Sequence, residues 1–337
     1  MNEVLDSHIS LAHGNGGRLM RLLIERVFVP HLGGGELNTQ ADAVPVALPS
    51  GEIVVTTDGF TVQPLEFPGG NIGALAIHGT VNDLAVAGAR PLYVTLAAII
   101  EEGFEVAALD RIVRSLGKAA REAGVRVVAG DTKVVPRGHG GGVYLALTGI
   151  GVREPGCALG MGAIRAGDKI LVSGPVGDHG IAVMLAREAF GLRGDVVSDA
   201  ATVLPLTRAL LGVEGLRFMR DPTRGGLATV AHEIAQGVGL GVVLEEAAIP
   251  VSEQTESVCA ILGYDPLYLA CEGRVVAVVA AEVADVALVA WQGLALGVGA
   301  AVIGTVGEAP GGVVLRTRIG GARVLPELEA DALPRIC

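Results

Sequence analysis

Residues 78–93, HGTVNDLAVAGARPLY, join a helical pattern to an apolar strand pattern with almost no loop between them. The apolar spacing predicts a helix over residues 72–87, with Asn82 and Asp83 near its end. A continuous apolar run then predicts a strand over residues 91–100. A helix that leads straight into a buried strand indicates a domain in which helices pack on β-sheets.

The same alternation extends from this stretch in both directions. Close to it, we expect helices over 19–29 and 106–123 and strands over 44–48, 53–57, 125–129 and 143–150. Farther along, we expect helices over 180–190, 202–211, 225–237 and 284–296 and strands over 169–172, 240–244, 274–280 and 301–306. Because some strands follow one another in pairs, the order favours an α+β fold with mixed β-sheets flanked by helices over a single doubly wound parallel sheet.

Length and composition divide the chain into two domains. The 337 residues are enough for about two domains, and residues 151–167 are rich in Gly and Pro with little periodicity. We therefore expect an N-terminal domain over 1–152, a C-terminal α/β domain over 153–325, and a mobile tail over 326–337.

Charge and cysteine usage exclude several classes of protein. The formal net charge is −11 and no basic run occurs, so a nucleic-acid partner is not expected. The four cysteines form no CxxC pair, which argues against a disulfide framework or a structural zinc and favours the reducing cytoplasm. Residues 275–306 are very apolar, but Glu282, Asp285 and Gln292 interrupt them, so we expect strand, helix and strand rather than a membrane span.

Four aspartates in the N-terminal half stand beside turn residues. Asp58 and Asp131 are predicted to follow apolar strands directly, and Asp42 and Asp83 belong to the same set. A single Asp of this kind is more simply a turn former. Four of them, with Lys133 two residues beyond Asp131, favour Mg²⁺ and nucleotide phosphates, because hard cations bind clustered carboxylate oxygens.

Three other segments carry polar groups next to predicted elements. The loop HGNGGR over 13–18 precedes a helix, where glycine amides suit phosphate oxygens, although a plain surface loop would look the same. Asp221 in DPTRGG is either a helix cap or a contribution to a ligand cleft. Glu272 in CEGR stands just before a buried strand, where it is either functional or simply solvated.

The printed sequence ends in LPRIC, so that its last residue is Cys337. A thiol at the end of a segment punctuated by proline is expected to be mobile. It could carry a covalent group into a site and out to a partner. A disordered end without a function is the alternative.

The motifs together resemble the HypE family of [NiFe]-hydrogenase maturation proteins, carbamoyl dehydratases within the aminoimidazole ribonucleotide synthetase-like superfamily. The resemblance runs essentially end to end and rests on HGNGGRLM, TTDGF, HGTVNDLAVAGARPLY, AGDTKVV, SGPVGDHGI, DPTRGGLA, CEGR and the final PRIC. The last of these separates the family from relatives that share the fold and the use of ATP.

The resemblance implies a homodimer through the N-terminal sheets, with ATP and Mg²⁺ near the interface. It implies Mg²⁺ ligands at Asp42, Asp58, Asp83 and Asp131. It implies ATP contacts at His13, Gly14, Gly16, Gly17, Arg18, Asp58, Asn82, Asp83, Asp131, Thr132 and Asp221. Lys133 and Glu272 are implied to handle protons, and Cys337 to be the carrier.

The implied activity is ATP-dependent dehydration of a carbamoyl group on Cys337 to a thiocyanate. The implied partners are the carbamoyltransferase HypF, as donor, and the HypC–HypD iron scaffold, as acceptor of cyanide. A small-molecule kinase or synthetase of the same fold is the alternative enzyme. A carrier without catalytic activity is a second alternative, against which the nucleotide-site aspartates argue.

Overall fold

The computed structural model describes residues 6–32, 37–39, 41, 43–187, 194–330, 333 and 335–337. The chain divides into two compact units. The N-terminal unit comprises Met1–Leu84 and Arg90–Arg153 together with Cys337. The C-terminal unit comprises Ala85–Ala89 and Glu154–Ile336.

The N-terminal unit is built on a mixed sheet. Its strands are β1 (Ile53–Phe60), the short β2 (Glu66–Phe67) and β3 (Gly70–Asn71), β4 (Ala89–Glu101), β5 (Arg126–Val135) and β6 (Val143–Arg153). Its helices are α1 (Arg18–Leu23), which continues through a π-helical turn at Ile24–Phe28 into α2 (Val29–Leu32), then α3 (Ile72–Val86) and α4 (Val106–Ala123). The order β1-β6-β4-β5 combines the antiparallel pair β1–β6 with the parallel pair β4–β5.

One face of this sheet is covered and the other is open. Burial alternates along the strands: Leu96 and Ala98 of β4 are buried, whereas Ala97 and Ile99 are exposed. The exposed residues of β5, Asp131 and Lys133, pair with those two positions and so share their face. Since side chains alternate between the two faces of a strand, the open face carries apolar residues at its centre and charges at β5.

The C-terminal unit is a larger mixed sheet with helices. Its strands are β7 (Lys169–Val172), β8 (Leu216–Arg220), β9 (Val242–Glu245), β10 (Val276–Val279), β11 (Ala301–Val306), β12 (Val313–Arg316) and β13 (Ala322–Val324), in the order β13-β12-β9-β11-β7-β10-β8 among the described residues. Its helices are α5 (Asp178–Ala186), α6 (Leu204–Leu211), α7 (Gly226–Val238), α8 (Glu253–Leu262) and α9 (Ala284–Gln292). The core includes Leu227 and Ile234 of α7 together with buried residues of β7, β9, β10, β11 and β12.

The α+β class with mixed sheets is confirmed, as are most of the predicted elements. The apolar stretch 275–306 forms β10, α9 and β11. None of the helices in the described part of the chain is both long and apolar enough to cross a bilayer. The strand predicted over 44–48 is wrong, because the segment is irregular and Pro45 and Pro49 cannot donate main-chain hydrogen bonds to a ladder. The strand β8 and the helix α8 were not predicted.

Candidate active site

The predicted loop 13–18 lies against the edge strand β5. The 3-10 turn Leu11–Gly14 places His13 with its side chain fully buried, and its Nδ1 accepts a hydrogen bond from the main-chain N of Ser10 at 3.0 Å. At Gly14 a Cβ atom would lie 2.7 Å from the main-chain N of Val134 in β5. Glycine is therefore required there, because a larger residue would push the loop off the strand.

The second half of the loop prepares the start of α1. Gly16 has a φ of +80°, which favours glycine, and Arg18 is the first residue of the helix. The main-chain N of Gly17 donates to Asn15 Oδ1 at 3.1 Å. A phosphate oxygen at this amide would take the place of the Asn15 side chain.

A cavity of about 430 Å³ opens beside β5. Its walls include Ile24, Phe28 and Leu96, and its polar edge is formed by Asp131 and Thr132. The Thr132 hydroxyl is buried and makes no hydrogen bond within the described structure. A flat apolar ring with a hydrogen-bonding edge fits such a cavity, since ligand sites are mostly apolar with a few placed polar groups. The residues present therefore fit a nucleotide base.

Two of the predicted carboxylates meet where β1 contacts α3. The Oδ2 atom of Asp83 accepts a hydrogen bond from Thr56 Oγ1 at 2.6 Å. Asp58 lies two residues along β1, and its Oδ2 would be 3.9 Å from a Cβ atom at Gly79 of α3. Asn82, next to Asp83, is buried. These hard oxygen donors fit a cation such as Mg²⁺.

Asp131 does not join that pair within the chain. It is exposed on the open face, where its Oδ2 forms a salt bridge with Lys133 Nζ at 2.8 Å. The strands β6 and β4 separate β1 from β5, so these two strands are about 14 Å apart at a strand spacing of about 4.8 Å, and Asp58 and Asp131 lie on opposite faces of the sheet.

The sequence interpretation of the aspartates needs one correction. Asp58 and Asp131 lie inside β1 and β5 rather than after their ends, because both strands extend farther than their apolar runs. Among the described residues, no three His, Cys, Asp or Glu side chains are grouped so that they could hold a metal ion. Asp42 lies outside the described residues, so the four-ligand set stays a prediction.

In the C-terminal unit, a buried carboxylate organises the segment that contains Glu272. Asp199 Oδ1 accepts from the main-chain N of Glu272 at 3.1 Å, and Oδ2 accepts from that of Gly273 at 3.3 Å. Burial raises the pKa of the Asp199 carboxyl group, and the Arg274 guanidinium, whose Nε is 3.4 Å away, opposes this shift. These two hydrogen bonds hold the main chain of the segment in place. Glu272 itself is 2% exposed, so its side chain is buried rather than solvated.

Asp221 follows β8 and is also buried. It does not cap the next helix, because the N-cap residue of α7 is Gly225. The main chain beside it is paired instead with the Glu272 segment: the carbonyl of Pro222 accepts from the N of Cys271 at 3.0 Å. The segments that contain Asp221 and Glu272 are thus paired with each other in one unit.

The described part of the tail is packed rather than extended into solvent. Leu333 and Ile336 are buried, and the Ile336 carbonyl accepts from His179 Nε2 at 2.5 Å. In the N-terminal unit, the main-chain oxygen of Cys337 accepts from the N of Thr61 at 3.0 Å. This is one arrangement of the tail, and its predicted mobility stays a prediction.

The four thiols differ in exposure. Cys337 and Cys157 are partly exposed, and Cys157 is packed against Gly88. Burial, with Asp265 and Glu256 nearby, raises the pKa of Cys259 to about 11. Burial also raises the pKa of Cys271 well above its usual value. The low exposure and high pKa of the last two make them poor nucleophiles.

Sequence reasoning missed the residues that hold these segments. His179 lies inside the stretch SGPVGDHGI, which was noted only as part of the family resemblance. No local pattern could have marked Ser198, Asp199 and Arg274, because the contacts that join them to His179, to Glu272 and to each other span 19 to 75 residues of sequence.

Comparison with known proteins identifies the family of the chain. Residues 40–153 match the family described as AIR synthase related protein, N-terminal domain, and residues 165–316 match AIR synthase related protein, C-terminal domain. The two domains thus define an AIR synthase related protein. Carbamoyl dehydratase HypE of Cupriavidus necator is 47% identical over 337 residues, covering 99% of this chain and 96% of that protein. The chain belongs to the carbamoyl dehydratase HypE family.

Two solved structures are similar over nearly the whole chain. The hydrogenase maturation protein HypE in complex with ATP has a TM-score of 0.92 and 43% identity, and the match covers 97% of this chain and 99% of that one. HypE in a HypE–HypF complex has a TM-score of 0.80 and 43% identity, with coverage of 91% and 99%.

Proposed function

We propose that the protein dehydrates a carbamoyl group carried on the Cys337 thiol to a thiocyanate, in an ATP-dependent reaction that supplies the cyanide ligand of [NiFe] hydrogenases. The observation that carries this proposal is the partly exposed Cys337 thiol on a tail held by its main chain, whereas Cys259 and Cys271 are buried with raised pKa values. Family membership supports the reaction class.

The reaction requires the loss of one oxygen and two protons from the carbamoyl group. ATP is the co-substrate, and transfer of its γ-phosphoryl group to the carbamoyl oxygen, with release of ADP, converts that oxygen into part of a phosphate that can leave. The nitrogen gives up its two protons, the carbon–oxygen bond breaks, and the carbon–nitrogen triple bond of S–C≡N forms. A base near the nitrogen is therefore required.

We assign the base to Glu272. Its segment is fixed by two main-chain hydrogen bonds to Asp199, and a buried carboxylate is shielded from the water that would compete for the phosphoryl group. Lys133 is exposed and forms a salt bridge with Asp131, so its ammonium group suits the neutralisation of phosphate charge better than the removal of a proton.

We place ATP in the N-terminal unit. The adenine ring of ATP would occupy the cavity beside Thr132. The phosphates of ATP would lie toward the loop of Gly14, Gly16, Gly17 and Arg18. Mg²⁺, when bound, would neutralise phosphate charge, with Asp58 and Asp83 as the donors that fit it. Asn82, beside Asp83 in α3, and Asp131, at the polar edge of the cavity, are further proposed contacts of the nucleotide. The ATP contact expected for Asp221 stays a prediction.

We propose a homodimer through the open face of the N-terminal sheet. Val55 is 61% exposed and Ile99 is 38% exposed on this face. Covering such apolar residues with a second copy is favourable. We also propose that the domains divide at residue 152, that residues 1–152 carry the dimer contact, and that residues 326–337 are mobile.

The proposed partners follow the chemistry of the thiol. A carbamoyl donor must reach Cys337, and HypF is the proposed donor, since a HypE–HypF complex is known for a relative. The HypC–HypD complex is the proposed acceptor of cyanide. The four free thiols favour the cytoplasm as the compartment.

Intact mass of the chain tests this function against the alternative of a small-molecule kinase or synthetase. After incubation with a HypF-type carbamoyltransferase, its carbamoyl donor and Mg-ATP, we expect a gain of one carbamoyl group followed by a loss of one water. Glu272→Gln should keep the carbamoyl group and fail to lose water, while Glu282→Gln, an exposed control, should behave as wild type. A chain that hydrolyses ATP but never takes up the carbamoyl group would support the kinase alternative.

A further inference from the structure

His179 forms a continuous hydrogen-bond chain with the tail. A carbonyl oxygen can only accept, so the 2.5 Å contact with Ile336 requires the proton of the ring on Nε2. The Nδ1 atom is then an acceptor, and Ser198 Oγ donates to it at 2.7 Å. Ser198 Oγ in turn accepts from the main-chain N of Ala200 at 3.1 Å. The neutral ring is thus fixed in one tautomer.

The same loop holds the segment of the proposed base. Asp199, the neighbour of Ser198, accepts from the main-chain N atoms of Glu272 and Gly273 and has a side chain only 1% exposed. Consecutive residues of one loop therefore hold the ring that contacts the tail and the main chain at Glu272. All of these residues belong to the C-terminal unit.

The tail at this contact is held in a conformation that it would not adopt alone. Arg335 has a φ of +58°, which costs a residue with a side chain about 1–2 kcal/mol. Arg187 donates to the Arg335 carbonyl at 2.6 Å, and the Ile336 side chain is 2% exposed. Such a backbone persists only where the surrounding contacts impose it.

We propose that His179 is a positioning residue for carbamoyl dehydration. Its hydrogen bond to Ile336 docks the residue directly before the carrier thiol, and Ser198 and Asp199 tie that docking to the placement of Glu272. Loss of the His179 bond releases the tail and slows dehydration while nucleotide binding, which uses the other unit, is retained. The reaction part of this inference rests on the proposed function, whereas the docking part does not.

Trypsin cleavage after Arg335 tests docking, with release of the Ile336–Cys337 dipeptide read by intact mass. We expect His179→Leu to accelerate release about tenfold, the equivalent of one net hydrogen bond of about 1.4 kcal/mol. His179→Gln, whose amide can still reach the Ile336 carbonyl, should restore a rate close to wild type. His232→Leu is the matched control, because His232 Nε2 contacts the Leu325 carbonyl at 3.1 Å, ahead of the tail. Ser198→Ala should give an intermediate rate and serves if His179→Leu does not fold.

Single-turnover loss of water from the carbamoylated chain tests the coupling to the reaction. We expect His179→Leu to lower this rate about tenfold with ATP affinity unchanged. Unchanged dipeptide release would overturn docking by His179. Faster release with an unchanged rate of water loss would overturn its role in the reaction. If wild type keeps its carbamoyl group, the proposed function fails, and the cleavage rates still decide whether His179 docks the tail.

Discussion

At the scale of single residues, burial decides which titratable and nucleophilic groups can act. The Cys271 thiol is fully buried, accepts from the main-chain N of Gly177 at 3.2 Å and has a raised pKa. It is therefore a packing residue, although it neighbours Glu272. The thiol of Cys337, by contrast, is partly exposed.

Substitution of these two cysteines should separate packing from chemistry. Cys337→Ala should abolish carbamoyl uptake with little change in the free energy of unfolding. Cys271→Ala should retain uptake and dehydration and lower the free energy of unfolding by about 1–2 kcal/mol, since it removes a buried sulfur and its contacts. Intact mass and denaturant unfolding measure the two effects. Loss of product in Cys271→Ala as complete as in Cys337→Ala would rule out a single carrier thiol.

His78 in α3 should make stability depend on pH. Burial lowers the pKa of its imidazole to about 4, with Glu122 opposing the shift. The unfolded chain then binds a proton below about pH 6.5 that the folded chain does not, so stability falls as pH drops from 6.5 toward 4. At pH 5 the loss is about 2 kcal/mol relative to pH 8. Urea unfolding at both values should show a smaller difference in His78→Gln, whereas the exposed His139→Gln should match wild type.

At the scale of elements, periodicity predicted α4, β7 and β11 with their observed bounds, because each has a regular apolar pattern ended by clear turn residues. It failed for 44–48, where Pro45 and the adjoining Pro49 prevent strand pairing. It also failed for β8, an edge strand whose polar residues interrupt the apolar pattern. Motifs marked Asp83, Asp131 and Glu272. They could not show that β6 and β4 separate β1 from β5, nor that Asp199 holds Glu272, because pairing across the chain leaves no local signal.

The contact of the loop 13–18 with β5 gives a prediction for one element. Gly14→Ala would bring its Cβ within 2.7 Å of main-chain Val134, so the loop must move off the strand. We expect ATP affinity to fall about tenfold, because the amides that receive phosphate shift with the loop. Gly162→Ala, where a Cβ atom meets nothing within 4 Å, is the matched control. Calorimetric titration with Mg-ATP measures both, and equal affinities would exclude this loop from the nucleotide site.

At the scale of the whole molecule, the proposed dimerisation through the open face of the N-terminal sheet would link assembly to nucleotide binding. The face carries Val55 and Ile99 together with Asp131 and Lys133, whereas Asp58 and Asp83 lie on the covered side at α3. A second copy that covers the apolar part of this face also restricts the water around Asp131 and Lys133. Salt-bridged charges in such a setting act more strongly on a phosphate than they do at an open surface.

Val55→Asp should therefore disrupt dimerisation and Mg-ATP binding together. In a two-fold dimer the substitution places two like charges on a self-complementary apolar face, which disfavours association. We expect a monomer mass by light scattering at micromolar concentration and a loss of Mg-ATP affinity. Val298→Asp is the control, because Val298 is 70% exposed and belongs to the C-terminal unit. A Val55→Asp dimer would remove the proposed interface, and a monomer that binds Mg-ATP as tightly as wild type would show that one chain alone completes the nucleotide site.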